Sequence, residues 1–352
     1  MRFPGFAALL FSRAARGVRA LPFRAAGDLV ALAIIVISIS TPAARADDLK
    51  VSRRKVVARD GAALALYRYA PESGGGGHPA VLLVPDLGFG RETYDLMGEG
   101  LAPFLQRHGR DTFVAELRGQ GNADAPAAWS LSEWAAIDLP AAVEAVRQAH
   151  PGGPIDLVVH GYGGALAIAA APRELAGKIR KVIAFSPAAA PEVPNEIARK
   201  LLSTPGTLAR AVPERRFELL FARDGSIRAY TRGLLEKEGP RDLGQTAAKE
   251  LLRWMEQGDL PFADGSTVKD RIGEYDRPTF VILPLLDNWA HSEFAEPLRA
   301  MAPRAKVQLR TLSKMYLEAD DYSHLGMLVG RGAANDAFLP ALAFLDAPEA
   351  AP

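Results

Sequence analysis

Apolar and polar positions alternate with a period of two on either side of Asp60-Gly61. That pattern predicts a hairpin with strands over Val51–Arg59 and Ala62–Tyr69. After the glycine run 74–77 the pattern changes, and Pro79–Val84 ("PAVLLV") is a short continuous apolar run, as a strand covered on both faces requires. Helical spacing over Tyr94–His108, a strand at Thr112–Leu117 and a long amphipathic helix over Leu131–His150 follow. Next come a strand at Ile155–Val159, an alanine-rich helix over Gly164–Lys178 and a strand at Lys181–Phe185. Strands alternating with helices of this length predict an α/β chain with a mostly parallel, doubly wound sheet.

The alternation breaks after Ser186-Pro187. Residues 190–273 carry no strand run, only charged helical segments such as Glu196–Leu202 and Thr246–Gln257. Sheet-like runs resume at Thr279–Leu285 and Lys306–Leu312, and a helix over Asp336–Leu345 closes the pattern. The expected organisation is a core formed by 47–189 and 274–352, with a helical cap inserted over 190–273.

Charge changes the picture at the N-terminus. Residues 1–46 hold six arginines and one acid, against a net charge of +1 for all 352 residues, so the rest is mildly acidic. An acidic body argues against a nucleic-acid partner, because phosphate binding needs a basic face. The basic stretch leads into the apolar run Leu29–Ile39 and then Ala44-Arg45-Ala46, the order of a secretory signal segment. The run is short against the roughly 20 residues that span a bilayer. Export to a bacterial periplasm or beyond is therefore expected, with membrane contact only through an uncleaved segment. The chain has no cysteine, which excludes disulfides, thiolate catalysis and cysteine metal sites.

Three loops carry the candidate chemistry, each after the carboxyl end of a predicted strand, where open parallel sheets gather functional groups. The first is the turn in "DLVVHGYGGAL" (156–166), the second holds Asp287 in "LPLLDNWAH", and the third holds His324 in "YSHLGMLVG". In this order, with "VLLVPDLG" (81–88) and "ELRGQGNA" (116–123), they make the chain resemble the α/β-hydrolase superfamily over nearly all of 50–347, in an esterase, lipase and polyhydroxyalkanoate-synthase-like branch. The resemblance implies a nucleophile on the turn after the strand, an acid–histidine pair on the later loops, and backbone N–H groups that hold an oxyanion.

At the reacting centre the chain departs from that pattern. Glycine occupies the nucleophile position, at Gly161 if His160 aligns with the histidine of the family's Gly-His-Ser-x-Gly-Gly, or at Gly163 in the other register. No serine lies in a Gly-x-Ser-x-Gly context, and Ser186 matches the end of the next strand. Pro85-Asp86 replaces the usual His-Gly, and an aspartate there opposes a developing oxyanion. The backbones of Leu87 and Tyr162 remain candidate oxyanion donors. His324 and Asp287 are the retained acid–base positions, with Asp320 and Asp321 as competing acids, and Asp86 and His160 are expected beside the pocket. His291 lacks any ligand cluster, so neither a metal nor a cofactor is expected. Three functions fit: a non-hydrolytic pocket protein for a small apolar or acyl-bearing ligand or a protein partner; a hydrolase or lyase in which a His324–Asp287 dyad activates water or substrate; or a structural envelope protein.

Overall fold

The computed structural model describes residues 50–72, 77–126, 128–189, 196–203, 221–222, 225–238, 240–290 and 295–348. The expected signal segment over 1–46, most of the glycine run, parts of 190–273 and His291 lie outside the described residues.

Eight strands are described: β1 Val51–Val57, β2 Ala63–Tyr69, β3 Val81–Val84, β4 Thr112–Glu116, β5 Ile155–His160, β6 Ile179–Phe185, β7 Thr279–Pro284 and β8 Val307–Leu312. They form one sheet in the order β1-β2-β4-β3-β5-β6-β7-β8. The β1–β2 hairpin turns at Gly61 (φ +92°), and β2 joins β4 antiparallel. All further pairings are parallel. From β3 the chain moves first to β4 on one side and then back to β5 on the other. The loops after β3 and β5 therefore leave adjacent strands at a topological switch point, where a crevice opens.

Two cores follow from the pleat. Leu82, Val84, Leu157, Val159, Val182, Ala184, Val281 and Leu283 feed one face. Val81, Leu83, Val158, Ile183, Phe185, Phe280 and Ile282 feed the other. Both faces are covered, so the inner strands read as unbroken apolar runs instead of alternating. The helix Gly161–Ala170 is buried at all ten positions, which suits its lack of a polar face. Between β6 and β7 lie the helices Glu196–Ser203, Ala229–Glu238, Gln245–Gln257 and Val268–Glu274. The third turns Ala247, Leu251, Trp254 and Met255 into the larger core. No helix among the described residues is long and apolar enough to cross a membrane.

Three helices differ from their sequence pattern. The one expected over Tyr94–His108 starts only at Leu101, because the chain first makes a tight turn at Met97-Gly98, bridged by Leu96 and Glu99, and passes Gly100 at φ +133°. The one expected over Gly164–Lys178 begins at Gly161 and ends at Ala170, just before Pro172, which has no N–H to continue the ladder. The one expected over Leu131–His150 opens on a capping box between Ser130 and Glu133, then widens to a π-turn over Trp134–Asp138 before Leu139-Pro140. The same device recurs at Ala334–Phe338 before Leu339-Pro340. In each, the proline removes one i→i−4 bond and its ring displaces the preceding turn.

Candidate active site

The parallel register fixes which loops meet. Val84 pairs with Val159, so Asp86 and Gly161, each two residues further on, leave the sheet side by side. His160 pairs with Phe185, which puts Ser186 beside Gly161 on the other flank. Leu286 bridges to Ser323, and its N–H donates to the Tyr322 carbonyl at 2.8 Å, so Asp287 and His324 advance together from the neighbouring loops.

Gly161 lies at the junction of β5 and the following helix and has φ +55°, whereas Gly163 is not among the residues with positive φ. The reversal of the chain thus falls on Gly161. Its missing side chain has no room: a Cβ there would press on the whole Asp86 carboxylate, the farthest of the three contacted atoms, Oδ1, lying at 2.6 Å. Gly163 and Gly164 are small for a different reason. Cβ atoms there would crowd the Pro85 carbonyl at 3.1 Å and the Val159 side chain at 3.3 Å.

Asp86 thus stands where the nucleophile of this turn would project. It is fully buried. Its Oδ1 accepts the N–H of Leu87 at 2.7 Å and that of Gly163 at 3.0 Å. Its Oδ2 accepts the Trp289 indole N–H at 3.0 Å and lies 3.3 Å from His324 Nε2. The backbone beneath is clamped, because Gln120 Nε2 donates to the carbonyls of Pro85 at 3.0 Å and Asp86 at 2.9 Å. Of the two backbone donors expected for an oxyanion, Leu87 is engaged by Asp86. The second donor found on that oxygen is Gly163 and not Tyr162. Tyr162 instead uses its hydroxyl, which donates to the Trp289 carbonyl at 3.3 Å.

His324 is buried between two carboxylates. Its Nδ1 lies 2.9 Å from Asp287 Oδ2, opposite the Asp86 contact at Nε2. Burial alone depresses an imidazole, but the Asp287 charge and hydrogen bond, with Asp86 behind them, hold His324 up at about 9. Burial likewise raises a carboxyl. Here the His324 charge and the hydrogen bonds from His324, Ser186 and the Ala290 N–H overcome it and hold Asp287 at about 2. Asp287 Oδ1 is also fixed by the N–H groups of Trp289 at 2.9 Å and Ala290 at 2.8 Å. Asp320 and Asp321 are engaged elsewhere: Asp320 pairs with Lys314 at 2.7 Å, and Asp321 accepts from the Ser313 hydroxyl at 2.7 Å.

His160 is buried and stacks on His324, with ring centroids 4.1 Å apart. Burial, and then the charge of His324, push its basicity well down, so this ring is the neutral partner in the stack. Sequence reasoning missed three participants. Ser186 takes a positive φ of +46° and donates its hydroxyl to Asp287. Trp289 supplies the indole donor. Phe221, from the chain between β6 and β7, tilts against Trp289 at 5.1 Å and His324 at 6.0 Å. Its carbonyl accepts from the Ser323 hydroxyl at 3.1 Å and the Leu325 N–H at 2.8 Å, which ties it to the histidine loop. The left-handed backbone at Ser186, costly for a side-chain-bearing residue, was the one feature of this group with a sequence signal, its place at a strand end before Pro187.

The comparisons with known proteins agree with this architecture. A family model described as "alpha/beta hydrolase fold" matches residues 79–237. Among solved structures, a bromoperoxidase from Bacillus anthracis superposes with a TM-score of 0.60 at 13% identity, covering 84% of this chain and 100% of that one. The N-formylmaleamic acid deformylase of Pseudomonas putida gives a TM-score of 0.55 at 13% identity, with 82% and 99% covered. An esterase of Pyrococcus furiosus gives a TM-score of 0.51 at 12% identity, with 85% and 90% covered. No curated protein sequence matches the chain. The chain has the α/β-hydrolase fold: that family model matches residues 79–237 and these solved structures share its architecture.

Proposed function

We propose that this chain is an exported α/β-hydrolase-fold protein that does not hydrolyse esters and instead binds a small apolar or acyl-bearing molecule. One observation carries the reading: the place of the nucleophile is filled by the carboxylate of Asp86, which also uses the N–H groups of Leu87 and Gly163. With no side chain at Gly161, no acyl intermediate can form there. The alternative, a His324–Asp287 dyad that activates water, needs a neutral imidazole with room before Nε2. His324, held at about 9 and facing Asp86 at 3.3 Å, offers neither at neutral pH. Apolar ligand chemistry is supported by the aromatic surround: Tyr162 meets Trp254 and Trp289 edge-on, and Phe221 packs on Trp289. Export rests on the basic, apolar and Ala-x-Ala order of residues 1–46.

The test is an assay of the purified protein against short- and long-chain p-nitrophenyl esters, beside His324→Ala, Gly161→Ser and the double variant Asp86→Gly/Gly161→Ser. No turnover is expected from the native protein or from Gly161→Ser, and hydrolysis is expected to emerge only in the double variant. Native turnover that vanishes in His324→Ala overturns the reading.

A further inference from the structure

The loop after β3 carries Asp86 into the site and then meets the chain between β6 and β7. Phe89 packs edge-on against Phe221, the ring that tilts onto His324, with centroids 5.1 Å apart. The Gly88 carbonyl accepts the N–H of Arg241. Whatever loosens residues 86–92 therefore loosens both contacts. At the end of this loop a 3₁₀ turn over Arg91–Thr93 places Glu92 beside Glu116, the last residue of β4. The position a Gly90 Cβ would take lies 2.7 Å from Glu92 Oε2 and 3.0 Å from Glu116 Oε1, so one gap over a glycine holds both carboxyl groups.

The two carboxyl groups are not equivalent. Glu116 is buried, and its oxygens accept from the Arg91 N–H at 2.9 Å, the Asn122 N–H at 2.7 Å and the Tyr67 hydroxyl at 3.1 Å. Half-buried Glu92 has the Gly90 N–H on its Oε1 at 2.7 Å, while Oε2 lies at the gap. The other charged groups around the pair are Arg91, whose guanidinium turns to Asp95 at 3.2 Å, Arg53, 5.9 Å from the Tyr67 ring, and Arg241. Burial first, and the Glu116 charge behind it, hold Glu92 protonated up to about 7, against the opposing pull of backbone N–H groups and Arg241.

We propose that Glu92, facing Glu116, is a proton-operated latch on the loop 86–92: the proton on its carboxyl keeps the loop and its contacts with Phe221 and Arg241 closed, and loss of that proton loosens them. An ionised Glu92 puts a second negative charge into a gap shared with a buried carboxylate, and the donors around Glu116 are already committed to it. Relief comes when the turn over Arg91–Thr93 opens and Glu92 reaches water. The latch lies on the same loop as Asp86, so it sets how readily that loop opens whatever the site binds.

Hydrogen exchange of the full chain, corrected for the intrinsic pH dependence of amide exchange, tests the latch through peptides covering 86–92, 221–222 and 240–244. Strand β7 is the internal reference. If Glu92 regains its ordinary value of 4.5 in the opened loop, opening should rise about tenfold between pH 6 and pH 8 and then level off. Glu92→Gln, which keeps the shape and cannot ionise, is expected to abolish that rise. His324 also titrates, but its contribution persists in Glu92→Gln, so the difference between the two proteins is what counts. Arg241→Ala, at an exposed position that keeps its backbone N–H, is expected to move the rise to higher pH, and it decides alone should Glu92→Gln not fold. The inference is overturned if native protein and Glu92→Gln share one pH profile in these peptides, or if Arg241→Ala leaves the midpoint where it was. It is also overturned if β7 opens by the same factor, which marks global unfolding instead of a latch.

Discussion

Gly161 and Asp86 occupy one volume between them, so substitutions at the two positions must be coupled. Consider Gly161→Ala in the native background. The added methyl meets two costs. A side chain at φ +55° costs about 1–2 kcal/mol in left-handed backbone. The methyl also forces the Asp86 carboxylate away from Leu87, Gly163, Trp289 and His324. Displacing one partner of a buried ion pair costs roughly 3–5 kcal/mol, so the single substitution should cost roughly 5 kcal/mol in total. In an Asp86→Gly background the carboxylate is already gone, and only the backbone term of about 1–2 kcal/mol remains. The double-mutant cycle, read by urea unfolding, should therefore give a coupling of roughly 3 kcal/mol in favour of the double variant, well above the few tenths expected for independent sites. Equal costs of Gly161→Ala in both backgrounds would show that Asp86 does not fill this space, and the reasoning would fail.

Two further outcomes follow from the same charges. His324, raised to about 9 from an ordinary value near 6.5, contributes stability that is complete below about pH 6.5 and is lost as pH rises through about 9, roughly 3 kcal/mol across the window. Glu92, pushed up by burial to about 7, has the same sign but a lower window. The histidine is therefore isolated by comparing native protein with His324→Gln in melts at pH 6, 7.5 and 9, and an unchanged slope in the variant would refute the assignment. Separately, buried Arg118 grips buried Asp138 through two hydrogen bonds of 2.7 and 2.6 Å. Arg118→Leu should cost roughly 3–5 kcal/mol by urea unfolding and Arg118→Lys less, because lysine keeps the charge but not the fork.

Much of the frame was legible because burial on both faces forces unbroken apolar strands, and the loops carrying Gly161, Asp287 and His324 follow such strands in order. Helix limits were less legible, since a periodic pattern does not reveal a turn at Met97-Gly98 or a π-turn ahead of Pro140. At the site, the sequence marked Asp86 as hostile to an oxyanion, yet gave no direction for its side chain. That direction depends on the Val84–Val159 register and on the empty space over Gly161. A signal existed in retrospect: one position lost a side chain while a neighbouring turn, glycine in the family's His-Gly, gained one. Two opposite changes of volume on adjacent strands are a packing statement, but only the three-dimensional register joins them. Phe221 was unreadable for a similar reason, because its place against His324 depends on how the chain between β6 and β7 folds back, and Trp289, after β7, reaches Asp86 only once the loops meet.

The central claim is that a carboxylate has replaced the nucleophile and locks the histidine as an imidazolium. Nitrogen-15 NMR titration of the His324 ring tests it most directly. The account predicts that both ring nitrogens are protonated at pH 7, that deprotonation falls near 9, and that Asp86→Asn moves it lower. A His324 that is neutral at pH 7 and indifferent to Asp86→Asn would contradict the account and return the ring to service as a base.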